Sequence, residues 1–398
     1  MSSSLRINVV PSIADIPAAT WDACAHPAGA EGASSSPYNP FISHAFLSAL
    51  EASGSAVART GWQPQHLAAE DASGQVLGVV PCYLKSHSRG EYVFDRGWAE
   101  AFERAGGDYY PKLQVSVPFT PATGRRLLAA PGAHSPEVEA ALAQGLVELC
   151  RLREASSAHV TFMPEREWNL LAERGFLQRT DQQFHWENAG YATFDDFLGA
   201  LASRKRKVLK RERRDALQNG IEVEWLTGSD LTESVWDTFF AFYTETGSRK
   251  WGRPYLTRAF YSLVGETMAD RILLVMAKRA GRYVAGAINF IGAETLFGRH
   301  WGAIEHHPFL HFELCYYQAI DFAIAKKLPR VEAGAQGEHK IARGYLPTTT
   351  YSAHYIENPS LRRAIADYLV RERAYVDAAG RELGELAPFR KDLEDADA

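Results

Sequence analysis

The chain repeats itself, and that repeat constrains its fold more than any other feature. HLAAEDASGQVLGVVPCYLK (residues 66–85) reads as strand, glycine turn, strand, and LLVMAKRAGRYVAGAINFIG (residues 273–292) reads the same way. The turn glycines Gly74 and Gly281 are followed at similar distances by Gly78 and Gly286. A turn glycine supplies positive φ, whereas a glycine inside a strand marks a bulge or a close backbone approach. YVFDRGW (residues 92–98) and LFGRHWG (residues 296–302) are each expected to add a strand reaching a basic residue and a tryptophan. Residues 135–153 then carry an amphipathic helical pattern leading to the strand AHVTFM (residues 158–163). Their counterparts Leu314, Tyr317, Ile320, Ile324 and Leu328 recur at helical spacing and lead to PRVEAG (residues 329–334). Each half closes on a short helix, a Gly-aromatic pair and a final strand: LLAERGFLQRTDQQFHW (residues 170–186) and IARGYLPTTTYSAHYI (residues 341–356). Chance matches one hairpin, not this whole series. The order predicts an α/β chain of two domains, 1–190 and 191–398, each a mixed, mostly antiparallel sheet flanked by helices.

With 398 residues there is length for two such cores. The 17 tyrosines and 20 phenylalanines point to filled cores or aromatic clefts rather than disorder. Cys24, Cys82, Cys150 and Cys315 form no CxxC pair, which argues against a disulfide lattice or a thiolate metal site. MSSSLRINVV lacks the basic start and apolar run of a signal peptide, and no stretch approaches 18 apolar residues. The expectation is a cytoplasmic protein without a transmembrane segment; a homo-oligomer is compatible with the sequence.

The order of elements resembles the GNAT (Gcn5-related N-acetyltransferase) fold, in which a helix crosses between two central strands and a late Gly-Phe or Gly-Tyr opens the last strand. Two such units in one chain resemble the FemAB-like peptidoglycan-bridge aminoacyltransferases and the bacterial predicted N-acyltransferases beside them. YYPKLQVSVPFTPATGRRLL (residues 109–128) and FELCYYQAIDFAIAKKLPRVEAGAQGEHKIARGY (residues 312–345) are most similar to the second group. The resemblance implies tandem GNAT-like domains that move an acyl or aminoacyl group to an amine. Acyl-CoA or aminoacyl-tRNA is then the donor, and a small molecule or cell-wall precursor carries the accepting amine. No tightly bound cofactor is expected; acyl-CoA would be a co-substrate.

One long helix is expected over residues 191–219, capped by Thr193 with Asp196 in the capping-box position. Within it lies a basic run: Arg204, Lys205, Arg206, Lys207, Lys210, Arg211, Arg213 and Arg214. Such a run is either a solvated helix face or a surface for phosphates. No RNP, KH or OB signature accompanies it, so DNA is not expected and tRNA is the nucleic acid the resemblance implies.

An N-acyltransferase must place an amine near an activated carbonyl, accept one proton and stabilise an oxyanion. VEAGAQGEHKIARGY (residues 331–345) offers the densest ionisable groups at a strand end. Glu332 could orient or deprotonate an amine, Glu338 and His339 are competing bases, and Lys340 and Arg343 could meet a donor phosphate or carboxylate. A charged surface turn would look the same, although Glu332 sits between Val331 and Ala333 as a partnered cleft carboxylate would. Arg299, His300, Trp301, Glu305 and Tyr316 form a second candidate group for substrate. The spacing of His306, His307 and His311 matches no established metal site, and Cys315 reads as a core residue. Tyr243, Lys250, Trp251 and Arg253 come from a helix–loop–helix that resembles the acceptor side of a GNAT cleft. HPFLHFELCYY (residues 307–317) lacks the glycines of a GNAT pyrophosphate loop. Thr120, Thr123, Gly124, Arg125 and Arg126 are the alternative anion nest, with Tyr109, Tyr110 and Lys112 on a neighbouring loop that could equally be exposed. A catalytically inactive scaffold, or a binding protein for tRNA or an anionic surface, remains the competing reading.

Overall fold

The structure, a computed structural model, describes residues 5–27, 37–132, 134–251, 254–334 and 337–390, without the side chains of residues 248–251. The chain forms two compact units. The first takes in Met1–Asp181 and Thr349–Asp377, the second Gln182–Thr348 and Ala378–Ala398.

The first unit contains β1 (Arg6–Val10), α1 (Ala18–Ala25), α2 (His44–Ala52), β2 (Trp62–Pro64), β3 (His66–Glu70), β4 (Val76–Val80) and β5 (Cys82–Lys85). There follow α3 (Arg96–Arg104), β6 (Lys112–Val115), β7 (Leu128–Ala129), α4 (Ser135–Leu152), β8 (Ser157–Met163) and α5 (Glu165–Glu173). Strand β9 (Leu177–Glu187) carries the chain into the second unit, which holds α6 (Phe194–Ala200), α7 (Ser203–Ala216), β10 (Ile221–Leu226), α8 (Glu233–Trp251) and α9 (Arg258–Met268). Next come the strands β11 (Ile272–Arg279), β12 (Arg282–Ile291) and β13 (Thr295–Ala303). The central helix has three parts: α10 (Leu310–Phe312), a π-helical turn (Glu313–Tyr317) and α11 (Gln318–Ala325). After β14 (Arg330–Glu332) and a 3-10 turn (Glu338–Arg343), β15 (Leu346–Ile356) returns the chain to the first unit, and α12 (Pro359–Glu385) ends the described helices.

Both units contain the same parallel pair inside an otherwise antiparallel sheet. In the first, Leu113–Val115 of β6 run parallel with Ala158–Val160 of β8; in the second, Thr295–Phe297 of β13 run parallel with Arg330–Glu332 of β14. Helix α4 crosses between the first pair and the α10–α11 helix between the second, as parallel strands require. The in-strand glycines mark close approaches. A Cβ at Gly78 would strike Val138 and Leu142 of α4, and one at Gly286 would strike Met276 and Phe239. Gly175 and Gly344, both at positive φ, open β9 and β15 ahead of the buried Phe176 and Tyr345.

Three sequence expectations are corrected. Residues 92–95 are loop, because Trp98 and Ala99 donate to the Asp95 carbonyl and start α3 there; the strand beside β8 is β6. The helix over residues 191–219 is two helices. The Thr193–Asp196 capping box starts α6, but Leu201 bridges Phe389 and Ala202 donates to the Pro388 carbonyl, which breaks the helix before α7. The compact units also differ from the halves 1–190 and 191–398. His185–Glu187 of β9 ladder with β14 in the second unit, and Tyr351–Ile356 of β15 ladder with β8 in the first. Each half of the sequence thus closes in the unit begun by the other half, a partner choice that strand pattern alone does not encode.

Candidate functional site

The second unit gathers most of the predicted chemistry around the ends of β13 and β14. Beyond Phe297 and Glu332 the two strands cease to pair. At this point β13 bulges against β12: Gly298 faces Asn289 and Trp301 faces Ala287, so β13 carries one extra residue. Bulges leave backbone groups out of the ladder and re-aim side chains, which is why they recur beside active sites. Here the extra residue falls at Arg299–His300. His300 packs edge-on against Tyr243 with centroids 4.9 Å apart, and the Tyr243 hydroxyl accepts from the Tyr255 and Leu256 amides at 3.2 and 3.3 Å. Tyr243 therefore ties the α8–α9 turn to the bulge. Lys250, Trp251 and Arg253 lie outside the described side chains.

A cleft of about 530 Å³ opens where β13 passes into α10. Trp301, Phe309, His311 and Phe312 give it aromatic walls, and Thr246 and Glu305 lie at its edge. His311 meets Trp301 edge-on at 5.2 Å and Tyr316 at 5.5 Å. Phe312 stacks on Tyr316 at 6.0 Å and lies 5.7 Å from His339. Tyr316 Oη and His339 Nε2 share a hydrogen bond of 3.0 Å. Burial, then the Arg343 and Lys340 cations, lower the His339 pKa and favour the neutral imidazole. Tyr316 sits on the π-helical turn, and π-turns inside α-helices are frequent at functional sites.

Lys340 is almost wholly buried, and its Nζ donates to the Gly334 carbonyl at 2.9 Å. Burial brings its pKa down to about 8, with the Arg299 cation acting in the same direction. Cys315, half-buried rather than core, is close enough to act on Lys340 electrostatically. Glu332 is buried at the end of β14 opposite His185, whose own pKa burial lowers while Glu332 pulls it up. Glu338 is exposed.

Two predicted groups have structural partners instead. Arg343 donates to both Glu212 oxygens at 2.9 Å and to the His339 carbonyl at 2.7 Å, with its guanidinium 3.5 Å from the Phe312 ring. It anchors the 3-10 turn to α7. Glu305 is held by Arg279 and His307 at 2.8 and 2.9 Å. Among the described residues no group of three or more His, Cys, Asp or Glu side chains is arranged to hold a metal.

The first unit's expected anion nest is closed. Arg126 is fully buried and donates to the carbonyls of Thr161, Gly124, Arg125 and Ala122. Arg125 donates to the Cys24, Leu127 and Ala129 carbonyls. Thr120 is buried with its hydroxyl on the Pro118 carbonyl, the Thr123 carbonyl accepts from Asn39, and the Gly124 amide donates to Phe162. The guanidinium donors are consumed by backbone acceptors, so charge that looked available in the sequence works as internal scaffolding. Tyr109 and Lys112 are fully buried too, and Tyr110 bonds Ser88 at 2.8 Å; none of them forms an exposed aromatic loop.

The basic run divides along α7. Arg213 turns inward to Glu313 and Asp321, Lys210 pairs with Asp195 and Arg214 with Asp215. Arg204, Lys207 and Arg211, one helical stripe with Val208 between them, line a groove of about 530 Å³ and make no ion pair among the described residues. Lys205 and Arg206 are half-buried.

A family model, FemAB-like, described as peptidoglycan biosynthesis/recognition, matches residues 12–391. The chain belongs to the FemAB-like family. No curated protein matches it. Among solved structures, FemX aligns with a TM-score of 0.54 at 13% identity, over 88% of this chain and 98% of that one. A tandem GNAT protein from the clavulanic acid biosynthesis pathway, without AcCoA, aligns at 0.47 and 13%, over 89% and 99% of the two chains. L-PGS from Bacillus licheniformis aligns at 0.49 and 9%, over 84% and 98%. The likeness to FemX shows the fold, which is tandem GNAT-like. Membership in the FemAB-like family supports a transferase and names neither donor nor acceptor. Among the described residues no helix is long and apolar enough to cross a membrane.

The structure gathers Glu332, His339, Lys340 and Tyr316, all named from sequence, at the same strand ends as Arg299, His300 and Trp301, whereas the sequence weighed His311 only as a metal ligand and did not single out Phe312 or the role of Glu212. The alternation FLHF (residues 309–312) carried a signal: three aromatic rings within four residues, just before the central helix, exceed what one core face needs.

Proposed function

We propose that the second unit is an N-acyltransferase site, moving an acyl or aminoacyl group from an activated donor to an amine. The observation that carries this reading is the Tyr316–His339 hydrogen bond beside the aromatic cleft, linked to it through His311 and Phe312, which line the cleft and pack against Tyr316. At about 530 Å³ the cleft is within the range for small-molecule sites. Its aromatic walls suit a heteroaromatic base, and adenine is common to acyl-CoA and the 3′ end of tRNA. The amine nitrogen attacks the acyl carbonyl carbon, forming the C–N bond. His339, neutral near pH 7, accepts the amine proton, with Tyr316 holding the ring. The tetrahedral oxyanion gains from the Lys340 ammonium and from amides at the β13 bulge. Collapse breaks the bond to the donor's sulfur or oxygen, and the proton on His339 goes to that leaving group. Glu332 orients the incoming amine from the end of β14. The family description favours a cell-wall precursor as bearer of the amine.

The groove of Arg204, Lys207 and Arg211 favours tRNA over CoA as donor, because three cations without carboxylate partners gain most from phosphates. Native mass spectrometry with acyl-CoA and with aminoacyl-tRNA tests both. CoA binding lost in Trp301→Ala supports the thioester; tRNA binding lost when Arg204, Lys207 and Arg211 become Gln supports the ester. Binding of neither, together with no acyl transfer to a cell-wall precursor amine, leaves an inactive scaffold.

A further inference from the structure

Strands β5, β6, β8 and β15 of the first unit each split their residues between two faces. Leu113 and Val115, Ala158 and Val160, and Ala353 join the hydrophobic core beneath α4. The alternate positions, Lys85, Lys112, Gln114, His159, Thr161, Ser352 and His354, take the opposite face and are nevertheless buried. The loop from residue 86 to 95 adds the buried carboxylates Glu91 and Asp95 to that face. Buried polar groups without partners cost roughly 1–3 kcal/mol each, so folded proteins leave few of them.

Much of the cluster is internally matched. Lys112 donates to Glu91 at 2.6 Å and also to Asp95. Tyr109 donates to Asp95 at 2.8 Å, His159 and His354 share a hydrogen bond of 2.7 Å, and the Gln114 amide donates to Thr161 at 3.1 Å. What remains is mostly acceptor, with the Trp62 indole N–H and the Tyr83 hydroxyl as unpartnered donors beside it. Glu91 Oε1, Asp95 Oδ1 and Gln114 Oε1 are buried acceptors with no hydrogen-bond partner, as is the Ser116 hydroxyl directly after β6. Leftover acceptors call for a donor-rich guest. The charges agree: two carboxylates face Lys112 and Lys85. Lys85 stands 3.7 Å from Glu91 Oε1 with its ammonium 3.5 Å over the Trp62 ring, and burial brings its pKa down to about 7. Near neutral pH the second positive charge is therefore only partly present, and burial raises the Glu91 pKa, so its charge depends on the cations beside it.

We propose that this cluster is a binding site for a small ligand bearing a primary amine, with the ammonium seated on Glu91 and Asp95. An ammonium carries three N–H donors, enough for both unpartnered carboxylate oxygens and the Gln114 amide oxygen. Lys112 holds the two carboxylates together, and Ser116 is positioned for a further hydroxyl or amide of the guest. The site is independent of acyl transfer in the second unit, because binding requires no donor.

Calorimetric titration of the full chain at pH 7.5 tests it with two matched probe pairs, ethanolamine against ethylene glycol and glucosamine against N-acetylglucosamine. The expected result is saturable binding of the amine member of at least one pair and not of its neutral partner. Glu91→Gln should weaken that binding by about tenfold or more, the effect of losing a hydrogen bond to a charged group. Because Glu91 also partners Lys112, that variant risks misfolding. Ser116→Ala removes a hydroxyl with no protein partner; it should leave the melting temperature unchanged and weaken glucosamine binding severalfold. Equal binding of amine and neutral probes, no binding of any probe, or amine affinity unchanged in folded Glu91→Gln would overturn the proposal. So would a high-resolution crystal structure grown with the amine probe that places only water on Glu91 Oε1 and Asp95 Oδ1.

Discussion

At the scale of single residues, the site in the second unit turns on two groups moved in the same direction for different uses. His339 is lowered below the ordinary histidine value near 6.5, so it is ready to accept a proton throughout the neutral range. Lys340, brought down to about 8, keeps its ammonium below that pH and loses it above. Acyl transfer should therefore rise on an acid limb below pH 6.5 and fall on an alkaline limb near 8. In Lys340→Arg the alkaline limb should disappear from the measured range, since arginine stays charged; a limb that stays at 8 removes Lys340 from the mechanism. His339→Gln should lower kcat by roughly 10²–10⁴-fold, the ordinary worth of a positioned base. The first unit's histidine pair has another pH consequence. Burial holds His159 down to about 3 and His354 well below its usual range, while unfolded histidine titrates near 6.5. Below pH 6.5 the unfolded chain takes up protons that the folded chain refuses. Stability is thus complete above that pH and falls beneath it, by at most about 1.4 kcal/mol per pH unit for each histidine. Urea midpoints at pH 7.5 and 5.5 measure the slope, which His159→Gln with His354→Gln should flatten.

Elements explain why some of this was readable from sequence and some was not. Glu332, His339 and Lys340 stood out because ionisable groups crowd the end of one strand, a local signal. Arg125 and Arg126 misled because burial is not local; a doubly basic pair beside glycine looks the same whether it meets solvent or seven carbonyls. Glu212, hidden as the lone acid in a basic run, proves to be the residue that holds α7 to the 3-10 turn through Arg343, and it also takes the Tyr317 hydroxyl. Glu212→Gln leaves Arg343 buried beside a neutral amide and should destabilise the protein by roughly 3–5 kcal/mol, read as a drop in urea midpoint. Gly302 is a second element-scale constraint. A Cβ there would run into the Phe242 backbone, because α8 lies directly against β13. Gly302→Ala should cost about 1–3 kcal/mol or more and disturb the cleft wall at Trp301, reported by tryptophan fluorescence. The hairpins, the central helices and the Gly-aromatic entries to β9 and β15 were all legible, since each is a pattern within some twenty residues. The polar alternation KLQVS and SAHVT (residues 112–116 and 157–161) was equally visible, yet nothing local says that such strands are covered on both faces.

For the whole molecule, the deciding feature is where the closing strands go. A cut at residue 190 separates β8 from β15 and β9 from β14, so each fragment loses a ladder it needs. Fragments 1–190 and 191–398 made separately should show no cooperative unfolding, and making them together should restore it. A fragment 1–190 that melts cooperatively alone would mean that β8 tolerates an open edge. Synthesis on the ribosome imposes the same separation in time. All of residues 182–348 are made between the two pieces of the first unit, which at about 5–20 residues per second is a wait of roughly 10–30 s. During it β8 offers an unpaired edge to whatever strand comes past. The unit begun first must wait for most of the second to be made, and the cell must guard that edge until Tyr351 emerges.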